Sequence, residues 1–420
     1  MRWVSRSVYC LFFAVIFLSS CQQGSPKLYN PSLVDFTVTY NPYLEGQFYP
    51  SLVMALASTA TQEDTQFAIN NSSFSISVTS PVNRGVLRIV IDSSKLNYVT
   101  ILQEEMPRKG ERYTYYPSIK WKFDKLYGIR QQGFADMTFT CFINDEEVDV
   151  KNLRINYRSV GDCLLSVKDD GGRLHDYRWM VAAYVNEEHP FIDSILTEIL
   201  NQGIVSRITG YQSGKDYVVK QVEAIWYYAL QRGITYSSIS CATNPTKRSN
   251  VQHIRFFDEV YNLRQANCID ACVFFASIMR KIGLKPLIFI DPCHAYLGYY
   301  TDKNRKHLKL LETTITSWVD FPALDKVYQP DAEGGERLPK AQFDKVSKYL
   351  DDQQIRQWEA GTLSYDAMKR AVAHTLFQKA SEHNSDTYKA NKSLYENTDS
   401  IFYQQLDIEQ LRNTVRPISE

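Results

Sequence analysis

The chain is 420 residues long, 44% hydrophobic and 22% charged, with 47 basic residues balanced by 47 acidic ones. That length suits two or three domains, and the composition is that of a globular protein with ample core rather than a disordered chain. The absence of a basic excess removes nucleic acid as an expected partner.

The amino terminus reads as a processing signal. Arg2 and Arg6 form a short basic region, and the apolar run that follows is too short for a lasting membrane span. Leu18-Ser19-Ser20-Cys21 then resembles a bacterial lipoprotein box. It predicts a signal peptide over 1–20, lipidation of Cys21 and a tether over 21–32. An ordinary signal peptide cut near Ser20 is the alternative. On the lipoprotein reading the protein is exported and held to a membrane by its lipid, on the periplasmic or cell-surface side of the outer membrane. No later stretch approaches 18 uninterrupted apolar residues, so no transmembrane helix is expected.

Residues 33–167 read as a β-sandwich-like domain. Phe74–Val78, Gly85–Ile91 and Met137–Ile143 alternate or run apolar as strands do. Turn signals separate them at Asn83-Arg84-Gly85, Arg108-Lys109-Gly110 and Asn144-Asp145. One helical piece interrupts near Pro50–Ala60. Cys141 and Cys163 lie in strand-like sequence; they are open to a disulfide, with two small buried thiols the simpler account.

The texture changes after the loop signal Asp169–Gly172, and a second domain is expected over 168–335. Ile192, Ile195, Leu196, Ile199 and Leu200 form a helical stripe, and Val218, Val222, Ile225, Trp226 and Ala229 form another that stops at Gly233. Ile234–Ser238 reads as a short strand. A buried helix then begins at Cys268 and stops at Gly283. Three strand-like runs follow, Pro286–Ile290, Cys293–Tyr300 and Leu308–Thr313. The segment 336–420 is polar and mostly helical, an extension packing on the core, with Leu406-Asp407-Ile408 available to do so. The fold class expected is α+β.

Chemistry concentrates at the start of that buried helix. Asn267 is a good N-cap and Asp270 sits where a capping box places its acceptor. Cys268 is therefore the first helical residue, where free N–H groups and the positive end of the dipole favour a thiolate. Such a nucleophile needs a base, and the imidazole needs a third group to orient it. His294, entering the second strand, and Glu312, within the third, arrive in that order, as cross-strand neighbours.

The motifs Asn267-Cys268-Ile269-Asp270-Ala271, Gly283-Leu284, Cys293-His294-Ala295-Tyr296 and Leu311-Glu312-Thr313-Thr314 resemble the transglutaminase-like superfamily within the papain-like cysteine fold. The resemblance covers residues 170–320, and the lipoprotein signal with a β-rich flank looks like exported Bacteroidetes-type members. It implies Cys268 as nucleophile, His294 as base and Glu312 as acidic partner, with Gln252 and Arg255 as the lead-in to the cysteine. The family's acidic partner is usually Asp; here it is Glu. The oxyanion donor has no firm match, and Tyr236 is the candidate. The implied chemistry is attack on amide bonds of peptides or peptide-containing polymers through an acyl-enzyme, with hydrolysis favoured over transamidation. The alternative is a non-catalytic lipoprotein of the same fold that binds peptide or glycan.

No cofactor or metal is expected. Cys268, Cys272, Cys293 and His294 are zinc-type ligands, but adjacent strand residues point to opposite faces. Cys272 then reads as core packing one turn below Cys268, and Cys293 as buried opposite His294. The polar group Asn186–Pro190 reads as the loop before a helix. The Asp270 carboxylate is expected to oppose the thiolate slightly, with His294 outweighing it.

Overall fold

A computed structural model describes residues 34–40, 44–57, 74–238, 247–330, 336–397, 400 and 402–419. The signal region 1–20, the tether 21–32 with Cys21, and Cys241 lie outside the described residues. The architecture is α+β.

Two sheets make up the amino-terminal part. One has three antiparallel strands in the order Phe36–Tyr40, Phe74–Thr79, Arg112–Tyr115. The other has five, in the order Gln47–Phe48, Glu146–Tyr157, Gly133–Ile143, Gly85–Ile91, Thr100–Met106. Alternation decides what faces inward. Phe74, Ile76 and Val78 are fully buried, and Phe139 and Cys141 fill the opposing strand. The Phe74 and Phe139 rings lie 5.5 Å apart, closing the space between the sheets. The hairpin at Asn144-Asp145 has φ of 51° and 66° at its two central residues. A two-residue turn of this hand matches the strand twist, and Asn and Asp tolerate it. The helical piece is shorter than expected, Pro50–Leu56.

The strand Asp162–Lys168 lies at the division expected between 167 and 168. It pairs with Leu174–Asp176 and with Ser249–His253, residues of the following region. Cys141 and Cys163 are free thiols, and burial pushes both up, Cys141 to about 12.

The carboxy-terminal region is built on a four-stranded antiparallel sheet in the order Leu308–Leu311, Ala295–Tyr300, Pro286–Ile290, Gln404–Asp407. The three strands expected between 286 and 313 are present, and the fourth comes from the end of the chain. Leu406 and Ile408 are buried there. The helix Cys268–Lys281 packs on Pro286–Ile290 and Ala295–Tyr300, and is buried along nearly its whole length. Gly298 is required in this sheet: a Cβ there would come within 2.6 Å of the Phe289 ring.

The carboxy-terminal extension packs against the sheet. The helix Tyr365–His383 packs on Leu308–Leu311 and on the helix Lys215–Arg232. The next helix, Ser385–Glu396, covers the opposite face, where Tyr395 meets Phe289, Tyr296 and Leu310. Among the described residues no helix is long and apolar enough to cross a membrane.

Candidate active site

The Cys268 helix begins as its sequence predicts. Asn267 Oδ1 accepts from the Asp270 N–H at 2.9 Å, and Asp270 Oδ2 accepts from the Asn267 N–H at 3.0 Å. This reciprocal cap fixes Cys268 in the first turn, where backbone N–H groups have no partner within the helix. Cys268 itself is partly buried. The Asn267 side-chain nitrogen is buried beside it with no hydrogen-bond partner among the described residues.

Asp270 is fully buried and Arg255 answers its charge. The Arg255 N–H donates to Oδ1 at 2.9 Å and its guanidinium to Oδ2 at 3.0 Å. Burial nonetheless pushes the Asp270 carboxyl up, opposed by those donors. Arg255 thus offsets the carboxylate that stands one turn from the thiol. Gln252, by contrast, donates to the adjacent His253 carbonyl.

His294 is delivered by a turn. Asp291 Oδ1 accepts from the N–H groups of Cys293 and His294, at 3.0 and 2.7 Å. The strand begins only afterwards, at Ala295. Strand alternation therefore does not reach Cys293, which is exposed rather than buried opposite His294. His294 Nε2 lies 2.7 Å from Glu312 Oε2, so Nδ1 is the ring nitrogen left for a second partner. Hydrogen bonding to Cys268 and then to Glu312 raises the His294 pKa to about 10, against the opposing effect of burial.

Glu312 is not within the third strand, which ends at Leu311. It caps the helical turn Thr313–Trp318, and its side chain is 1% exposed. Register places Leu311 opposite Leu297, so Glu312 stands opposite Tyr296 rather than His294, and its longer side chain spans the offset. Oε1 accepts from the Thr314 N–H at 2.9 Å and hydroxyl at 2.6 Å. Oε2 accepts from Asn384 Nδ2 at 2.7 Å as well as from His294. Burial pushes this carboxyl up, but His294 and the neutral donors outweigh it and hold the pKa at about 2. The pair is therefore an imidazolium facing a carboxylate at neutral pH.

The other candidates separate. Tyr236 is 40% exposed and pairs in parallel with Ala266, two residues before Cys268. Cys272 is fully buried with its sulfur 3.9 Å from Thr313 Oγ1, and burial pushes its thiol well up. Among the described residues no cluster of three or more His, Cys, Asp or Glu side chains is placed to hold a metal. The Asn186–Pro190 group is used in packing: Glu187 pairs with Arg280 and Arg412, and the His189 ring lies 4.8 Å from Phe257.

Sequence reasoning missed Asn384 and the Asp291 carboxylate. The Asp291-Pro292 pair is a turn signal, but nothing local marks its carboxylate as the acceptor that sets His294. Asn384 sits at the junction of two helices some 70 residues beyond Glu312, and no local pattern marks it.

No protein-family model matches the chain, and no curated protein is similar to it in sequence.

Proposed function

We infer that the chain is an exported, lipid-anchored thiol enzyme of the transglutaminase-like type, acting on amide bonds of peptides or peptide-containing polymers. In this reading Cys21 carries the lipid, a β-sandwich-like domain spaces the catalytic domain from the membrane, and 336–420 buttresses it. The carrying observation is that one imidazole, His294, hydrogen-bonds both Cys268 at the capped helix start and the buried Glu312 carboxylate, the latter at 2.7 Å.

The chemistry follows from that arrangement. Cys268 Sγ attacks the amide carbonyl carbon while its proton resides on His294. The carbonyl π electrons move to oxygen, near first-turn N–H groups that have no partner within the helix. As the C–N bond breaks, His294 returns the proton to the leaving amine and a thioester remains. Water, deprotonated by His294, then cleaves the thioester to a carboxylic acid and the free thiol. Glu312 holds Nε2 throughout and stabilises the imidazolium. The His294 side chain is 32% exposed, so water has access, which favours hydrolysis over transamidation.

A peptidyl acyloxymethyl ketone, which loses its leaving group to a thiolate, tests the reading. The label is expected on Cys268 and lost in Cys268→Ala and His294→Ala. Labelling of the exposed Cys293 at the same rate, or undiminished labelling in His294→Ala, overturns it.

A further inference from the structure

Leu308–Leu311 is an outer strand: among the described residues only Ala295–Tyr300 pairs with it. Antiparallel pairing uses the backbone groups of alternate residues. The Thr301 N–H donates to His307 O across this pair, which puts Lys309 and Leu311 in the hydrogen-bonded phase. The N–H and C=O groups of Leu308 and Leu310 therefore point outward. Glu312, next in that outward phase, donates its N–H to Ala380 O at 2.9 Å. Leu308 and Leu310 have no such acceptor among the described residues.

This edge opens into a groove of about 860 Å³. Helices on the two faces of the sheet wall it, Tyr365–His383 contributing Phe377 and Ser381, Ser385–Glu396 contributing Tyr388. Ser381 Oγ is buried there without a hydrogen-bond partner among the described residues. Lys309, Lys389 and Lys392 also line the groove. Of its two acidic residues, Glu223 is engaged by His374 Nδ1 at 2.6 Å, leaving Glu382. Among the described residues Lys389 and Lys392 pair only with exposed carboxylates, at 3.4 and 3.6 Å, contacts that water and salt screen.

We propose that this groove binds an extended acidic peptide segment, which adds to the sheet as a strand beside Leu308–Leu311. Main-chain bonds to Leu308 and Leu310 supply the affinity of strand addition. A lysine on an open edge discourages pairing with uncharged strands, and three lysines along one groove complement a strand carrying carboxylates. The site is separate from the thiol chemistry and holds whether or not Cys268 is a nucleophile.

The test uses the full chain carrying Cys268→Ala, so that no probe is consumed. The probe is a short fluorescein-labelled peptide alternating Glu and Val, followed by anisotropy. Saturable binding is expected, lost when alternate backbone amides of the peptide are N-methylated. Reversing two charges in Lys309→Glu/Lys392→Glu should weaken it about tenfold. A Lys-Val peptide should not bind. Absence of saturation by about 1 mM, or equal binding of the N-methylated peptide, overturns the proposal.

Discussion

Among the described residues two histidines pair with a buried carboxylate, and of these two only His294 also hydrogen-bonds a thiol. His294 meets Glu312 at 2.7 Å, and His253 meets Asp162 at 3.1 Å. Both carboxylates are buried and both histidines are raised, His294 by hydrogen bonds to Cys268 and then Glu312, His253 by its hydrogen bond to Asp162. The difference lies in what else holds the carboxylate. Asp162 shares its charge with Arg158 Nε at 2.9 Å, whereas among the described residues Glu312 receives only neutral donors besides His294. An arginine-bound carboxylate is a structural ion pair. A carboxylate whose one cationic partner is an imidazolium is arranged to orient and charge that ring.

The sharpest way to break the comparison is kinetic. His294→Ala should slow alkylation of Cys268 by iodoacetamide at pH 7 about hundredfold, while His253→Ala leaves it within about twofold. Peptide mapping by mass spectrometry reads both, with the exposed Cys293 as internal reference. Equal slowing in the two variants would remove the distinction.

Stability should rank the carboxylates in the reverse order. Asp162→Ala strands the buried Arg158 guanidinium and should cost about 3 kcal/mol. Glu312→Ala orphans Asn384 and Thr314 donors but lets His294 lose its proton, and should cost about 2 kcal/mol. Urea titrations at neutral pH measure both, and a larger loss in Glu312→Ala would contradict the assignment.

The pH dependence sharpens the contrast further. His294 is raised from 6.5 to about 10, so its contribution is complete below the unfolded value and is lost as pH rises through 10. Glu312 is lowered from 4.5 to about 2, so its contribution is present above the unfolded value and is lost as pH falls through 2. The stability gap between the native chain and His294→Phe should therefore be widest between these unfolded values and narrow from pH 6.5 to 10. A gap that is flat over that interval would refute the raised pKa. The smallest effect expected is Asn384→Ala, at about 1 kcal/mol and a few-fold slower alkylation of Cys268. Unchanged alkylation would make Asn384 a packing residue only.

Local signals account for what was legible. Asn267 and Asp270 predict the reciprocal cap because capping involves neighbouring residues, and the cap alone places Cys268 at the helix start. Apolar runs predict the three strands from 286 to 313, and Asn144-Asp145 predicts its hairpin turn for the same reason. The errors fall at element ends. Cys293 and Glu312 each lie one or two residues outside the strand assigned to them, and alternation arguments lapse there.

By itself, then, the sequence determined the α+β class, the address of Cys268 and the order in which His294 and Glu312 follow it. Only the tertiary structure decided how Glu312 is charged and held. Its partners are Thr314 beside it, His294 across the sheet and Asn384 from the distant carboxy-terminal helices. The same helices leave the Leu308–Leu311 edge open between them, and Gln404–Asp407 forms the opposite outer strand. Capping and alternation act within a few residues and are written in order along the chain. The burial and hydrogen bonding that set a carboxylate's pKa come from whatever the fold brings alongside, which sequence spacing does not encode.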